Sequence, residues 1–223
     1  IKIVEDASES LGTKYLERHR GAHTGLVGDI GCISFNTNKI ITCGSGGIII
    51  ANNKKYISNA KYLSTQSKDN SIYYIHNSVG YNFRLNNLNA AVGLAQMEQL
   101  KSFIKHKKQN FINYKKYFLD IEGLEIIDTP SYARNNHWIN VLKVNRKFGI
   151  SVKIILNFLL NNNVEVRPVW YLNHKQKMFK NYQSYNIVNA FKLLNNSICL
   201  PSSVGLKKND IKTITNLIKN IKN

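Results

Sequence analysis

Two residue types that together support carbonyl chemistry follow two predicted strands. Lys39 lies on a polar turn after the apolar run Ile30–Phe35, just before the glycine-rich stretch Gly44–Gly47, and Asp6 follows the apolar run Ile1–Val4. A lysine amine can form a Schiff base with the aldehyde of pyridoxal phosphate (PLP), and a carboxylate can keep the pyridine nitrogen protonated so that the ring accepts electrons. The pair therefore suggests a PLP site, although both residue types are common and need support from their surroundings.

The elements around this pair read as the α/β structure of a large domain. Gly47–Ala51 is predicted to be a further strand and Lys54–Ser64 a helix, whereas Gln66–Asn77 shows no period and is predicted to be a loop. The stretch from about Asn87 to Phe118 has a helical pattern, and its length leads us to expect a bend. We interpret it as the connector to a second domain, so that residues 1–105 form the rest of a large domain and 106–223 a small one.

The small domain is predicted to mix α and β structure. Strands are expected at Trp138–Val144, Val164–Pro168 and Ile198–Leu200, and helices at Val152–Leu160, Ile187–Leu194 and Asn209–Ile221.

Three ordered motifs connect these elements to a known family. They are Val4–Gly12 (VEDASESLG), Gly28–Lys39 (GDIGCISFNTNK) and Gly80–Gly93 (GYNFRLNNLNAAVG). All three resemble the DegT-type sugar aminotransferases, which are PLP-dependent enzymes of fold type I. Together they are specific, and the similarity extends from residue 1 to about residue 220.

Two further segments indicate a branch of that family. The similarity is strongest to enzymes that make 4-amino-4,6-dideoxy sugars for legionaminic-acid-like or perosamine-like glycans. Tyr62–Asp69 and Tyr74–Gly80 favour the legionaminic type.

The resemblance implies a fold, a reaction and an oligomeric state. The fold would be a large domain with a mainly parallel sheet covered by helices, plus a small C-terminal α/β domain. The reaction would move an amino group from L-glutamate to a keto carbon, C4 favoured, of a nucleotide-linked 4-keto-6-deoxy sugar for surface glycans. The enzyme would be a homodimer with shared active sites. Lys39 favours transamination, because the family's dehydratases carry histidine there.

The resemblance also assigns roles near the predicted strand ends, each with an ordinary alternative. Lys39 would carry PLP, and Asp6 would bind its ring nitrogen or instead cap a helix over residues 7–11. Glu9 would lie close to the ring, or be a first-turn acid favoured by that helix's dipole. Ser34 would bind the cofactor phosphate, or satisfy its own backbone.

Three more residues complete the implied site. Asn82 would reach the PLP phosphate of the neighbouring subunit, or simply supply turn geometry. Arg84 belongs to the same motif and is a candidate for substrate binding. Arg167 could clamp a carboxylate or a phosphate, or pair with a structural acid.

Composition argues against several other classes of protein. The net charge of +18 raises the possibility of a basic nucleic-acid-binding protein. However, the 31 Lys and Arg are scattered, and Asn is as frequent as both together, which is typical of a biased coding composition. Three cysteines without paired spacing indicate neither a zinc site nor a disulfide framework. Together with the lack of a predicted leader or membrane span, they favour a reducing, cytoplasmic setting. We expect no metal, no membrane span and no nucleic-acid partner.

The chain begins in an apolar strand and without Met. Since the resembled enzymes carry well over a hundred residues before the position of Asp6, we expect the C-terminal portion of such an enzyme. The missing part would include a phosphate-binding turn and a ring-stacking aromatic residue, so we expect the 223 residues alone to be inactive. A truncated or degenerate family member without turnover is the alternative.

Overall fold

The computed structural model describes residues 1–222. Its strands come in groups before each of the first two helices, and strands and helices alternate only from Asn140 onward. In order they are β1 (Val4–Asp6), β2 (Lys14–Tyr15), β3 (Ile30–Ser34), β4 (Gly47–Ile50), α1 (Lys54–Ser64), β5 (Lys68–Asn70), β6 (Ile75–His76), α2 (Asn87–Phe118), β7 (Leu124–Ile126), β8 (Ala133–Arg134), β9 (Asn140–Val144), α3 (Val152–Asn161), β10 (Arg167–Pro168), α4 (Asn189–Asn196), β11 (Ser197–Leu200) and α5 (Lys208–Lys219). Short 3₁₀ turns occur at Arg146–Phe148, Asn173–Lys175, Lys177–Phe179 and Asn220–Lys222.

The chain forms two compact units. The first comprises Ile1–Lys105 and Thr129–Trp138, and the second comprises His106–Asp128 and Ile139–Asn223. The segment Thr129–Trp138 thus belongs with the first unit, which no sequence signal indicated. No helix within residues 1–222 is both long enough and apolar enough to cross a bilayer.

The first unit is built around a three-stranded sheet in the order β1-β3-β4. β1 and β3 are parallel, with Val4 opposite Ile30 and Asp6 opposite Cys32, whereas β4 runs antiparallel to β3. The connection from β1 to β3 is held by the carboxylate of Glu5, which accepts hydrogen bonds from the backbone N–H groups of Gly25 (2.8 Å), Val27 (2.6 Å) and Gly28.

Glycine is required where this connection passes over the sheet. A Cβ on Gly31 would lie 1.8 Å from the carbonyl oxygen of Gly25, a separation that no side chain tolerates. This close approach lets the β1–β3 connection lie directly on β3, the strand that precedes Lys39.

The second unit has an antiparallel sheet in the order β10-β11-β9-β7. Helices α3 and α5 and the end of α2 pack on it around one apolar core. Its fully buried members include Phe118, Leu142, Ile155, Ile198 and Ile211. Aliphatic side chains from both helices and strands therefore stabilise this unit, as expected of mixed α/β packing.

The predicted elements are confirmed in type, with shifted ends. The region expected to be an unstructured loop contains the short β5–β6 hairpin, because a backbone hydrogen-bond pattern needs no hydrophobic period there. α2 runs without interruption from Asn87 to Phe118, and the expected bend within it stays a prediction.

The buried face of α2 in the second unit is partly polar. The Lys107 ammonium donates to the carbonyl of Ser202 (2.6 Å), the Asn110 amide donates to that of Ser203 (3.0 Å), and the Tyr114 hydroxyl donates to that of Pro201 (3.0 Å). All three side chains belong to buried residues. They bind three consecutive carbonyls and so fix the chain that leaves β11, because an unpaired buried carbonyl would be costly.

Burial lowers the pKa of Lys107 to about 8, from 10.5 in the unfolded chain. Between these two values the unfolded chain binds more protons than the folded chain, so Lys107 makes stability rise with pH. We expect Lys107 to contribute a rise of about 2 kcal/mol in the free energy of unfolding from about pH 7 to about pH 9.5. Urea unfolding of the wild type and of Lys107→Met, each measured at about pH 7 and at about pH 9.5, isolates this contribution.

Lys108→Met is the matched control, since Lys108 is the exposed neighbour on the same helix. It should leave the pH dependence of the wild type unchanged. A Lys107→Met protein with the same pH dependence as the wild type would contradict the prediction.

Candidate active site

Parallel pairing places two chemically active side chains at one edge of the first unit's sheet. Asp6 ends β1, and β3 ends at Ser34, five residues before Lys39. The backbone N–H of Ala7 donates to the carbonyl of Cys32 at 2.8 Å, which extends the pairing to the strand ends. Because the carboxyl ends of parallel strands meet at the same edge, the residues that follow them converge.

The turn that carries Lys39 is fixed on both sides. The N–H of Lys39 donates to the carbonyl of Asn36 (3.0 Å), and the N–H of Asn36 donates to the hydroxyl of Ser34 (3.2 Å). The next two residues, Ile40 and Ile41, are buried and anchor the turn in the apolar interior of the unit.

The Lys39 amine lies between a carboxylate and an aromatic ring. It forms an ion pair with Glu9, and its Nζ lies 4.8 Å from the centroid of the Trp138 ring. The side chain of Lys39 is only 11% exposed, against 45% for Glu9. A primary amine that is largely shielded from water and held at two points is suited to react with a carbonyl group in a fixed orientation.

Asp6 is held as a carboxylate at this edge. It accepts hydrogen bonds from the Ser8 hydroxyl (2.5 Å) and from the Ser8 N–H (3.1 Å). These bonds, with a smaller contribution from the charge of Lys39, lower the pKa of Asp6 and outweigh the opposing effect of burial. The site thus has a carboxylate whose ionised form is favoured close to its amine.

The structure excludes the two helix-based alternatives, helix capping by Asp6 and a first-turn position for Glu9. Residues 7–11 form turns and not a helix, so Asp6 caps no helix and Glu9 is in no first turn. Asp6 instead closes a local turn with Ser8, and Glu9 reaches the Lys39 amine.

For the other predicted site residues, the structure shows contacts with neighbouring groups and not with the Lys39 amine. The Ser34 hydroxyl accepts from the Asn36 backbone, which is the local contact named as its alternative. Asn82 pairs with Thr65 in an isolated bridge, and both Asn82 and Arg84 are exposed. Arg167 belongs to the second unit, on β10, where it pairs with the nearby acid Glu165 and donates to the carbonyl of Val166 (3.1 Å).

Asn136 is a site residue that sequence reasoning missed. Its side-chain amide donates to the carbonyls of Glu9 (2.8 Å) and Leu11 (3.0 Å), and its Oδ1 accepts from the N–H of Trp138 (2.9 Å). The residue is 2% exposed. Asn136 therefore joins the backbones of the two residues that contact the Lys39 amine. The only available signal was the polar run Asn135–His137 directly before an apolar strand.

Within residues 1–222, no group of three or more His, Cys, Asp or Glu side chains is arranged to hold a metal ion. The three cysteines have free thiols. At this edge the structure brings together an amine, two carboxylates and an aromatic ring.

Comparison with known proteins assigns the family. The sequence pattern of the DegT/DnrJ/EryC1/StrS aminotransferase family matches residues 1–219. The chain belongs to this family. It is 31% identical over 226 residues to a GDP-perosamine synthase of Vibrio cholerae, an alignment that covers 99% of this chain and 59% of the relative.

More distant relatives and solved structures agree. A dTDP-4-amino-4,6-dideoxy-D-glucose transaminase of Shigella dysenteriae is 24% identical over 232 residues, covering 100% of this chain and 59% of that protein. Helicobacter pylori PseC, an aminotransferase involved in pseudoaminic acid biosynthesis, superposes with a TM-score of 0.88 at 19% identity and covers 99% and 59% of the two chains. The fold-type I prediction is therefore confirmed, and the chain spans a little over half the length of the relatives it matches.

Aminotransferases of this family depend on PLP, and the residues present fit that cofactor. The shielded Lys39 amine fits its aldehyde, and Asp6, whose pKa is lowered, fits a protonated ring nitrogen.

The buried contacts of Asn136 make it a test of how the site is held. Asn136→Ala leaves the carbonyls of Glu9 and Leu11 and the N–H of Trp138 without their partner, so we expect it to lower the free energy of unfolding by about 2–4 kcal/mol. Thermal or urea unfolding measures this loss.

Asn135→Ala is the control, since the Asn135 side chain accepts one bond, from the N–H of His137 (3.0 Å). It should cost about 1 kcal/mol. Equal losses for the two variants would show that Asn136 has no special role.

Proposed function

We propose that this chain supplies the PLP-carrying part of an aminotransferase that acts on a nucleotide-linked keto-sugar. The observation that carries the proposal is the Lys39 amine, shielded from water and paired with Glu9, at the same sheet edge as the ionised Asp6. Bound PLP supplies an aldehyde for covalent attachment and a ring that accepts electrons.

The residues of this chain have separate tasks in that reaction. Lys39 would attach the cofactor through its amine, and the same amine, when free, would move a proton to or from the reacting carbon. Asp6 holds a proton on the ring nitrogen by a charge-assisted hydrogen bond. Glu9 neutralises the charge of the Lys39 amine while it is free, and the Ser34 hydroxyl contributes to binding the phosphate.

The proposed substrate is a nucleotide-linked 4-keto-6-deoxy sugar, aminated at C4 with L-glutamate as the donor, for glycan biosynthesis. Support for C4 comes from relatives whose names specify 4-amino-4,6-dideoxy sugars, in Shigella dysenteriae and in Campylobacter jejuni. Arg84 and Arg167 are the proposed substrate contacts, although the present contacts of Arg167 are local. A cytoplasmic location, in which the free thiols are stable, is part of the same proposal.

We further propose a homodimer with shared active sites. The loop that carries Asn82 and Arg84 exposes several apolar side chains, with Tyr81 and Phe83 stacked at a ring separation of 5.1 Å and Leu88 exposed just beyond. Such surfaces are typical of protein interfaces. Packing of this loop on a second copy would bury it and deliver the two polar side chains to the partner's site.

The attachment of PLP to Lys39 can be tested directly. We expect the complete protein to show visible absorbance with PLP, and borohydride to trap the label on the peptide that contains Lys39. Lys39→Arg keeps the positive charge but cannot attach PLP in this way, so it should lose both the trapped label and amination activity. Label on another lysine in the wild type would contradict the assignment.

Sharing of the sites can be tested by mixing two inactive variants. Lys39→Ala and Asn82→Ala should each abolish activity alone. In a twofold-symmetric dimer with shared sites, half of the randomly paired dimers are mixed, and each of these has one intact site, so co-refolding should restore about one quarter of the wild-type activity. No recovery from mixtures shown by mass to contain mixed dimers would exclude the sharing of Asn82.

A further inference from the structure

We propose that Trp138 is a positioning residue for Lys39, holding both the amine and the backbone of the lysine turn through one side chain. The relevance of this role to catalysis rests on the function proposed above, whereas the contact itself does not. Trp138 lies at the end of Thr129–Trp138, the segment that returns to the first unit far along the chain from Lys39.

The first contact is made by the face of the indole ring. Lys39 Nζ lies 4.8 Å from the ring centroid, within the roughly 6 Å over which the negative face of an aromatic ring attracts a cation. Tryptophan is the best of the aromatic residues for this interaction. Because Lys39 is largely shielded from water, the attraction is stronger than at an exposed site.

The second contact is made by the edge of the same ring. The indole N–H donates to the carbonyl of Asn38, the residue directly before Lys39, at a distance of 2.7 Å. This bond fixes the ring relative to the lysine backbone, while the ring face holds the other end of the lysine side chain. Phenylalanine could supply a face but not this bond, and leucine could supply neither.

The segment before Trp138 is arranged to hold the ring in place. His137 has a positive φ of 53°, which is unfavourable for a residue other than glycine and persists only where the surroundings enforce it. The side chains of Asn135 and Asn136 accept from the N–H groups of His137 (3.0 Å) and Trp138 (2.9 Å) respectively. The strained backbone is therefore fixed by two side-chain acceptors.

The ion pair with Glu9 does not make the ring redundant. Glu9 is nearly half exposed, and an ion pair with one solvated partner contributes little to holding a side chain in a single position. Asn136 ties the backbone of Glu9 to that of Trp138, so the two contacts on the amine are part of one arrangement. We infer that the ring restricts the amine and that Glu9 neutralises it.

The test measures the accessibility of the Lys39 amine in protein freed of PLP. The rate of acylation of Lys39 by a succinimidyl ester is followed by mass spectrometry and normalised to Lys147, a lysine of the second unit whose side chain is 72% exposed. Trp138→Leu removes the ring face and the N–H, and should raise the Lys39 rate by about threefold to tenfold. Trp138→Phe keeps an aromatic face and should raise it by less.

Tyr132→Leu is the matched control, because it removes an exposed aromatic ring from the same segment. It should leave the Lys39 rate unchanged. Circular dichroism of each variant verifies that the fold is retained, and Trp138→Phe keeps the test valid if Trp138→Leu does not fold.

The order of rates decides the proposal. A Lys39 rate that rises from wild type through Trp138→Phe to Trp138→Leu supports it. Equal rates in the wild type and folded Trp138→Phe and Trp138→Leu, or an equal increase with Tyr132→Leu, overturn it. Borohydride trapping with PLP separates the two proposals: label on another lysine would refute the proposed role of Lys39 in catalysis, while the acylation result would still decide whether Trp138 positions its amine.

Discussion

The parallel pairing of β1 with β3 is the constraint on which the site depends. Asp6 is opposite Cys32 in this register, and the pairing continues through the hydrogen bond from Ala7 to Cys32. A shift of one residue would turn the alternate side chains of a strand to the other face of the sheet. Asp6 and the turn that leads to Lys39 would then no longer meet at one edge, and the charge of Lys39 would no longer favour the ionised Asp6.

Side chains that bind backbone groups maintain this register where the sheet itself is short. Glu5 accepts three N–H groups of the β1–β3 connection, and Asn136 ties the backbones of Glu9 and Trp138. The backbone bonds lower the pKa of Glu5 although burial opposes them, so Glu5 remains a carboxylate acceptor. A β1 strand of three residues has few hydrogen bonds of its own, which is why these polar contacts matter so much here.

How much the sequence could predict depended on the range of each interaction. Lys39 and Asp6 could be paired because each follows an apolar run, and the strand–turn pattern implied a common edge. The contact of Lys39 with Glu9 could not be derived from periodicity, since residues 7–11 resemble a helix start and instead form turns. Trp138 and Asn136 could not be predicted as site residues from the sequence. They come near residues 9–39 only because the segment Thr129–Trp138 folds into the first unit.

The two units are stabilised in different ways, and the candidate site lies in the one with less apolar core. The buried apolar cluster belongs to the second unit, whereas in the first unit Val4, Ile48 and Ile49 of the sheet remain exposed. Hydrophobic packing is not directional, so it could not by itself fix an amine to within a fraction of an ångström. Hydrogen bonds and the contact of a cation with a ring are directional. On the role proposed for Trp138, the position of the Lys39 amine is therefore determined mainly by the indole ring of this residue, whose backbone Asn136 holds. Glu9 neutralises the amine, and the burial of Ile40 and Ile41 fixes only its turn.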